Sequence, residues 1–409
     1  MKHMMRLLLF VCLPLCIFAE ESSAPKKIEN TKPATIKVLL KKDTSGILLE
    51  AKGPFVVYNP QTGKKLSSGR KGKRYYCHPH SEGIKWGEDF LGIFQLQIEP
   101  KSPNTTFLVN GIQYRGAIAI YHIEEKLNVI NQLDVESFIK STLTHQISTP
   151  LTRDVLDSVA IIARTNAYHL ALANSEAFWH TTAEEAGYHG IGLSLQNLDI
   201  DNAVDNTCYL VMTQEEAPFP SSWTEHCAGK TASYSSIFRK KIETPKGIHS
   251  PFAAKNRNDS HWSFTIETQE LAKVVKTNRV TGMDLFLDHF SDKVYATRFH
   301  DGSHTEDIDF IHLQKALGKN QLKSSDFTVN IKGNIAVFEG YGEGNGVGLC
   351  LYSATQMAER GDNAPQILST FFPSTQIEKM RSYPTALVSY PTALKKKEAA
   401  KKKHKILHR

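Results

Sequence analysis

Short apolar runs alternate with polar residues from Thr35 to about Leu127. Runs of this kind, rich in β-branched and aromatic residues and bounded by Gly, Pro, Asn and Lys, predict short β-strands. The polar segment 20–34 before them is rich in Lys, Pro and Ser and is typical of a linker. The strand-like runs are TIKVLL, GILLEA, FVVYN, FQLQI, TFLVN, YRGAIAIY and KLNVIN.

The periodicity then becomes helical. A first helix is predicted from Asp134 to about Gln146, with an apolar face formed by Phe138, Ile139, Thr142 and Leu143. Gln146 lies seven residues beyond Ile139, so the spacing places it on the same inward face. A second helix is predicted from the capping residue Thr152 to about Asn174.

Strands and loops return beyond Gly187, and mixed helix and strand follow His261. Helices are predicted at about 352–360 and 365–372, with Gly361 as a natural stop for the first. The whole pattern predicts an α+β fold. Its N-terminal part is β-rich with short strands, its centre is helical, and its C-terminal part is mixed, with a Gly-rich turn before a helix.

Both ends of the chain differ in composition from the rest. Residues 1–19 combine Lys2 and Arg6 with an apolar stretch and a small residue, Ala19, which predicts a signal peptide cleaved near Ala19 and export to the periplasm or cell envelope. Residues 381–409 hold a duplicated SYPTAL linker and a tail with seven Lys and one Arg against one Glu. Such a tail is usually solvated, and its sharper interpretation is attraction to an anionic surface, with nucleic acid the less plausible partner of an exported protein.

The exported chain would keep four cysteines, Cys77, Cys208, Cys227 and Cys350, whose pairing stays open. None belongs to a C-x-x-C pair, and CHPH at 77–80 has no second cluster at ligand spacing, so we expect a solvated loop there and neither a metal nor a cofactor.

Alternate glycines form a ladder, Gly340, Gly342, Gly344, Gly346 and Gly348. Neither a dinucleotide fingerprint nor a P-loop has this spacing. On these residues alone, a Gly-rich turn between a strand and a helix is the favoured interpretation.

Three segments carry a resemblance to a known family. The first, 127–173, has a strand, a capped helix and a second helix with Ala163-Arg164-Thr165; the second is the turn Ala228-Gly229-Lys230-Thr231; the third is the ladder, Phe338 to Ala354, with ILSTFFPST after it. They are similar to the motifs of the SpoIID/LytB family, that is, stage II sporulation protein D and the amidase enhancer. The resemblance implies one domain at 35–380, with a helical core motif at about 127–175 and a Gly-rich motif at 338–361, in which the ladder is part of a glycan-cleft wall.

The resemblance implies a protein that binds the glycan strands of peptidoglycan and cleaves them by lytic transglycosylation. One glutamic acid suffices for that reaction, because it first protonates the glycosidic oxygen and then assists the muramic 6-hydroxyl. The family glutamate falls on Gln146, whose amide cannot transfer a proton. A non-catalytic glycan-binding protein that stimulates a cell-wall amidase is therefore the alternative.

The resemblance also implies a set of site residues. The ladder histidine of the family falls on Asn345, and its Ser-Gln pair falls on Cys350-Leu351. Glu343 is a substitute acid or else a solvated turn residue, and Cys227 and Cys350 lie on motifs that line one cleft, close enough for a disulfide. Arg164 is either a ligand or part of a helix-orienting ion pair, and Glu136 is structural. The predicted substrate-binding residues are Arg164, Thr165, His226, Asn345, Gly346, Gly348, Cys350 and Tyr352.

Overall fold

The alternating N-terminal runs form two antiparallel sheets in a computed structural model that describes residues 33–191 and 197–382. The first sheet has the order β4-β3-β8-β11-β12-β1, and the second has the order β10-β9-β2-β5-β6-β7. Their strands are β1 (Thr35–Thr44), β2 (Ile47–Lys52), β3 (Phe55–Tyr58), β4 (Lys65–Gly69), β5 (Lys73–His80), β6 (Gly83–Trp86), β7 (Glu88–Leu91), β8 (Gln95–Pro100), β9 (Thr106–Val109), β10 (Ile112–Tyr114), β11 (Ala117–Ile123) and β12 (Lys126–Asp134).

The expected solvated loop at 77–80 is wrong, since these residues end β5 and pair with β6. Cys77 is fully buried in the core that the two sheets share, opposite Trp86. The strand forms because Cys77 falls on the inward face of the alternation, while its neighbours face outward.

Two helices follow the sheets, α1 (Val135–Gln146) and α2 (Arg153–Ala173). Asp134 caps α1 by accepting a hydrogen bond from the Ser137 amide at 2.8 Å, and Thr152 occupies the cap position of α2. The apolar faces of both helices belong to the same hydrophobic cluster as the two sheets. The predicted boundaries therefore agree with the structure to within a residue.

Short elements then lead away from the helices. They are β13 (Thr181–Thr182), which adds to the first sheet beside β1, α3 (Ala183–Ala186), α4 (Leu198–Asn206), β14 (Leu210–Gln214), β15 (Ala217–Pro218), β16 (Trp223–Thr224), α5 (Tyr234–Phe238) and α6 (Pro251–Lys255).

An excursion of the chain from His261 to Tyr341 has a hydrophobic core of its own. Trp262, Phe299, Phe310 and Phe338 are among the buried side chains of that core. The elements of the excursion are β17 (His261–Glu267), α7 (Thr268–Val275), β18 (Gly282–Leu287), β19 (Val294–His300), β20 (Thr305–Asp309), α8 (Phe310–Leu317), β21 (Phe327–Lys332) and β22 (Ile335–Tyr341).

The chain returns to the first core after the excursion, through β23 (Leu349–Cys350), α9 (Leu351–Glu359), α10 (Ala364–Phe371) and β24 (Gln376–Lys379). The last two helices were predicted one residue later than they occur. The α+β prediction is confirmed, with sheets first, helices in the centre and a mixed C-terminal part.

The predicted signal peptide, nearly all of the linker 20–34, and all but the first residues of the duplicated linker and basic tail lie outside the described residues. Within 33–191 and 197–382, no helix has the length and apolar character needed to cross a membrane.

Candidate functional site

Gln146 is the last residue of α1, and its side chain is exposed. The prediction that it shares the inward face is wrong, because the core covers the earlier turns and leaves the end of the helix in solvent. The Nε2 atom of Gln146 donates a hydrogen bond to the Ala186 carbonyl at 2.9 Å and so ties the end of α1 to α3. The four residues of the predicted face, Phe138, Ile139, Thr142 and Leu143, are buried as expected.

Arg164 forms a buried, bidentate ion pair with Glu136. Its Nε lies 2.8 Å from Oε1 of Glu136, and its Nη2 lies 2.6 Å from Oε2. Arg164 has no exposed surface, so the predicted contact with substrate is wrong and the ion-pair alternative is correct. The guanidinium joins α1 and α2 to α4 and β14 through further hydrogen bonds to Val204, Thr207 and Leu210.

Thr165 is buried beside Arg164 and also has a structural role. Its hydroxyl donates to the Ile161 carbonyl at 2.7 Å and accepts from the Met212 amide at 2.9 Å. A fully buried hydroxyl with both bonds made to the backbone holds β14 against α2 and is not available to a ligand.

The glycines of the ladder lie where other segments approach its backbone. A methyl group on Gly348 would come within 2.0 Å of the Ser222 carbonyl oxygen, and one on Gly344 within 2.3 Å of Thr224 Oγ1. Both glycines also have positive φ angles, 78° and 98°, which side-chain-bearing residues rarely adopt. Gly346 and Gly348 are buried against protein, so they contribute packing and not the predicted contact with substrate.

The ladder is hydrogen-bonded to the segment 222–232, which contains the turn motif. The Glu343 amide donates to the His226 carbonyl at 2.9 Å, and the His226 amide donates back to the Glu343 carbonyl at 3.0 Å. The Thr224 hydroxyl also donates to the Glu343 carbonyl, at 2.7 Å. We call the ladder and this segment together the turn–ladder junction.

Glu225 brings to the junction a carboxyl group that the sequence analysis missed. A methyl group on Gly344 would lie 2.6 Å from Oε2 of Glu225, so the carboxylate rests on the ladder although the residue as a whole is exposed. This partial removal from water, together with the negative charge of Glu343, raises the pKa of Glu225. Nothing local in the sequence marks Glu225, because the ladder that creates its environment is distant in the chain. Glu343 itself is exposed.

His226 and Tyr352 form an aromatic pair beside Glu225, with ring centroids 4.7 Å apart. Burial and the positive charges of Lys293 and Arg257 lower the pKa of His226, so its ring is neutral at neutral pH. The hydroxyl of Tyr352 accepts a hydrogen bond from the side-chain amide of Asn256. Both rings are only partly buried, so they retain exposed surface next to the junction.

Cys227 and Cys350 lie together in the interior of the junction, both as free thiols. A hydrogen bond to Cys350 and burial raise the pKa of Cys227. Burial alone would raise the pKa of Cys350, but hydrogen bonds from Cys227 and Ser353 lower it. Cys350 is buried at the start of α9, so it does not make the predicted contact with substrate.

A buried ion network supports the turn from the side of the excursion. Lys293, which is almost entirely buried, donates to the Cys227 carbonyl at 2.7 Å and to Asp326 at 2.8 Å. Arg257 binds both oxygens of Asp326, at 2.8 and 2.9 Å, and also donates to the Ala228 carbonyl. These three residues were not singled out from the sequence, since each is an ordinary charged residue until the fold brings them together.

Asn345 has the role of a turn residue. Its side-chain oxygen accepts from the Val347 amide at 2.9 Å, and its carbonyl accepts from the Ser325 hydroxyl at 2.8 Å. Within the described ranges, no group of three or more His, Cys, Asp or Glu residues is arranged to hold a metal ion. The side chains that the junction presents are the carboxyl group of Glu225, the neutral imidazole of His226 and the phenol ring of Tyr352.

Comparison with known proteins finds that the segment with the two central helices is similar to a known family. The family model described as "SpoIID: Stage II sporulation protein" matches residues 123–214, which contain α1, α2 and the Arg164–Glu136 pair. Stage II sporulation protein D of Bacillus subtilis (strain 168) is 20% identical over 270 residues, or 62% of this chain and 77% of that protein.

Two chlamydial proteins are more similar over shorter stretches. An uncharacterized protein of Chlamydia muridarum (strain MoPn / Nigg) is 37% identical over 183 residues, 44% of this chain and 63% of that protein. An uncharacterized protein of Chlamydia pneumoniae is 35% identical over 179 residues, 43% of this chain and 65% of that protein. The chain thus spans less than two thirds of the length of these two relatives.

Proposed function

We propose that this protein has a cell-wall-related role, in which it binds and remodels the glycan strands of peptidoglycan. The proposal rests on the similarity of the chain to the SpoIID family, of which it is a divergent member. We place this activity in the cell envelope after export. Cleavage of the strand by lytic transglycosylation is the first candidate reaction, and Glu225 at the turn–ladder junction is the group that carries it.

The raised pKa of Glu225 supports this assignment. A general acid works best when part of it is protonated near the working pH, and an ordinary exposed glutamate is almost entirely ionised there. The ladder backbone and the charge of Glu343 both favour the protonated form of Glu225. Gln146 offers no such proton, because a carboxamide can only donate or accept hydrogen bonds.

The reaction needs one carboxyl in two states. The protonated carboxyl of Glu225 gives its proton to the glycosidic oxygen as the bond from that oxygen to the muramic C1 breaks. The resulting carboxylate then takes the proton of the muramic 6-hydroxyl while O6 bonds to C1. The products are a free 4-hydroxyl on one fragment and a 1,6-anhydro ring on the other, without consumption of water, and Glu225 returns to its protonated state.

The aromatic pair supports a glycan at this place. The exposed parts of Tyr352 and His226 offer apolar surface beside Glu225, and sugar rings have apolar faces that pack on such surface. His226 is held neutral, so it adds no positive charge that would lower the pKa of Glu225.

A non-catalytic role is the second candidate, and a specific observation favours it. The Gln146 amide donates a hydrogen bond to the Ala186 carbonyl, which a carboxylate could not do. The residue at the family acid position thus has a structural contact. In this second proposed function, the protein binds glycan and stimulates a cell-wall amidase but does not cleave the strand itself.

Purified glycan strands, with and without stem peptides, separate the two candidates. Mass spectrometry after incubation would detect 1,6-anhydromuramyl ends, and sedimentation with the strands would measure binding. We expect wild type to form these ends and Glu225→Gln to lose about 10²-fold in rate while still binding. The matched control is Glu339→Gln, which removes an exposed carboxylate from β22 on the same ladder strand.

Each outcome is decisive. Binding without anhydro ends in wild type would favour the amidase-stimulating role, which an added amidase would then test. Anhydro ends that persist in Glu225→Gln would exclude Glu225 as the general acid, and Glu343 would be the next residue to test. Absence of any binding to glycan would overturn both candidates.

A further inference from the structure

An open groove on the N-terminal sheets shares no residue with the turn–ladder junction. It has a volume of about 440 Å³. It forms where the chain leaves β4, the edge strand of the first sheet, and enters β5 in the second. We call it the basic groove and define it by the side chains that the following argument uses, namely Ser67, Ser68, Lys71, Lys73, Arg74 and Tyr75.

The charged side chains that line the basic groove are three cations, Lys71, Lys73 and Arg74, and one carboxylate, Glu88. Residues 51–81 contain seven Lys or Arg and no Asp or Glu. Lys73 is neutralised by Glu88, 2.7 Å away; burial alone would raise the pKa of Glu88, but hydrogen bonds from Lys73 and Ser67 lower it and keep it ionised.

The remaining cations are available to a ligand. Arg74 has only a loose pairing with Glu50, 3.6 Å from Nε to Oε2, and its side chain is exposed. Lys71 is exposed and makes no ion pair within the part of the chain that the structure describes. The charge of the groove is therefore not cancelled by its surroundings, which makes an anionic ligand favourable.

Tyr75 gives the groove an aromatic face. Its side chain is 54% exposed. One edge of the ring packs on Gly87, where a methyl group would lie only 2.8 Å from Cδ2. Gly87 thus allows the ring to rest on the turn between β6 and β7, and β5 is paired on both sides, so the ring is fixed while much of it faces solvent.

These features together point to a second contact site for the glycan strand: we infer that the basic groove binds carboxylate-bearing sugars of the strand. The inference rests on the proposed function and specifies its ligand. Muramic acid residues without stem peptides carry a free carboxylate, which Lys71 and Arg74 can pair with. The ring of Tyr75 offers contact to the apolar face of a sugar, and the hydroxyls of Ser67 and Ser68 offer hydrogen bonds to its polar edge.

Binding of the full chain to purified strands without stem peptides tests the inference. We expect Lys71→Ala/Arg74→Ala to weaken the Kd about tenfold, and Tyr75→Ala to weaken it by a smaller factor. The matched control is Lys240→Ala/Lys241→Ala, which removes the same charge from another exposed pair and should leave the Kd unchanged. Strands with amidated carboxyls should bind wild type as weakly as unmodified strands bind the groove double variant.

The possible failures are distinguishable. Equal glycan binding by wild type and the groove double variant would overturn the second site and leave the proposed function standing. No binding of glycan by wild type would overturn both. Vesicles of anionic phospholipid form a further arm, since loss of vesicle binding in the double variant with unchanged glycan binding would assign the groove to lipid. Thermal melts of each variant check folding, which these exposed side chains should not affect.

Discussion

The backbone amide of Cys227 donates a hydrogen bond to the sulfur of Cys350 across 3.2 Å, although 123 positions separate the two residues. The bond fastens the turn motif to the end of the ladder inside the junction. It also brings together two thiols whose pKa values are shifted in opposite directions, since the pKa of Cys227 is raised and that of Cys350 is lowered.

We expect Cys227 and Cys350 to form a disulfide when the protein is incubated with hydrogen peroxide, an oxidant small enough to reach a buried pair of thiols. The Cys350 thiolate attacks the peroxide and releases hydroxide, which leaves a sulfenic acid on Cys350, and the Cys227 thiol then forms the disulfide by displacing the sulfenic oxygen as water. Mass spectrometry of a non-reduced digest would find the linked peptides. Cys77 is the internal control, because burial raises its pKa to about 12 and it should stay a thiol. Persistence of both alkylatable thiols would contradict the prediction.

Glu225→Gln should stabilise the protein at neutral pH. A carboxyl whose pKa is raised by folding binds its proton more tightly in the folded state, so folding stability falls as pH rises from about 4.3 through the folded pKa. The variant lacks this penalty, so its Tm should exceed that of wild type at about pH 7.5 and converge with it below about pH 4. Glu339→Gln is the control for replacing an exposed carboxylate on the ladder strand β22, and a lower Tm for Glu225→Gln at neutral pH would show that the carboxylate of Glu225 is stabilising.

Gly348→Ala should be much more harmful than Gly361→Ala. Both glycines have positive φ, 78° and 97°, so either substitution carries backbone strain of about 1–2 kcal/mol. A methyl group meets nothing within 4 Å at Gly361, but at Gly348 it meets the Ser222 carbonyl. We expect an additional loss of about 1–3 kcal/mol at Gly348 in urea unfolding. Equal losses would mean that the ladder relaxes freely and is not held by close packing.

Arg164→Met should cost about 3–5 kcal/mol of unfolding free energy, because it leaves the carboxylate of Glu136 partly buried without its partner. The double variant Arg164→Met/Glu136→Gln should lose less unfolding free energy than the sum of the two single losses, since neither charge is then left without its partner. Denaturant unfolding of the four proteins measures the coupling. Strict additivity would indicate that the two residues act independently.

Gln146→Glu should add glycan cleavage, and the Glu225→Gln background isolates its effect. The new carboxylate cannot donate to the Ala186 carbonyl, so we expect it to turn into solvent at the negative end of α1, where the helix dipole favours its protonated form. We expect about 10²-fold more anhydro ends than from Glu225→Gln alone. Gln146→Ala in the same background is the control, and equal yields from the two would show that this position has lost its catalytic geometry.

The helices were predictable because their signals are local. Asp134 and Thr152 cap the helices where the periodicity begins, and α1 and α2 follow to within a residue. Burial at a helix end was not predictable, since Gln146 has the spacing of the inward face but lies past the edge of the core. The periodicity of a helix shows which side of its axis a residue faces. It does not show how far along the helix the neighbouring core extends.

The junction was predictable only in part. The ladder and the turn were recognised as segments of one family pattern, but the bond from the Val347 amide to the side chain of Asn345 was not predicted. Glu225, Lys293 and Asp326 were missed, because their partners come from distant parts of the chain and a single sequence does not reveal such contacts. The separate hydrophobic core of the excursion was not predicted for the same reason.

That excursion starts and ends on paired residues, His261 and Tyr341. A segment whose ends meet can be lengthened, trimmed or exchanged over evolutionary time while the rest of the chain keeps its path. Such changes are limited here by two contacts with residues outside the excursion. Lys293 donates a hydrogen bond to the carbonyl of Cys227, and Asp326 accepts hydrogen bonds from the guanidinium of Arg257. A descendant that discarded the excursion would have to supply another cation for that carbonyl. The structural demands on this segment are therefore concentrated at its paired ends and at Lys293 and Asp326, whose contacts the rest of the molecule uses.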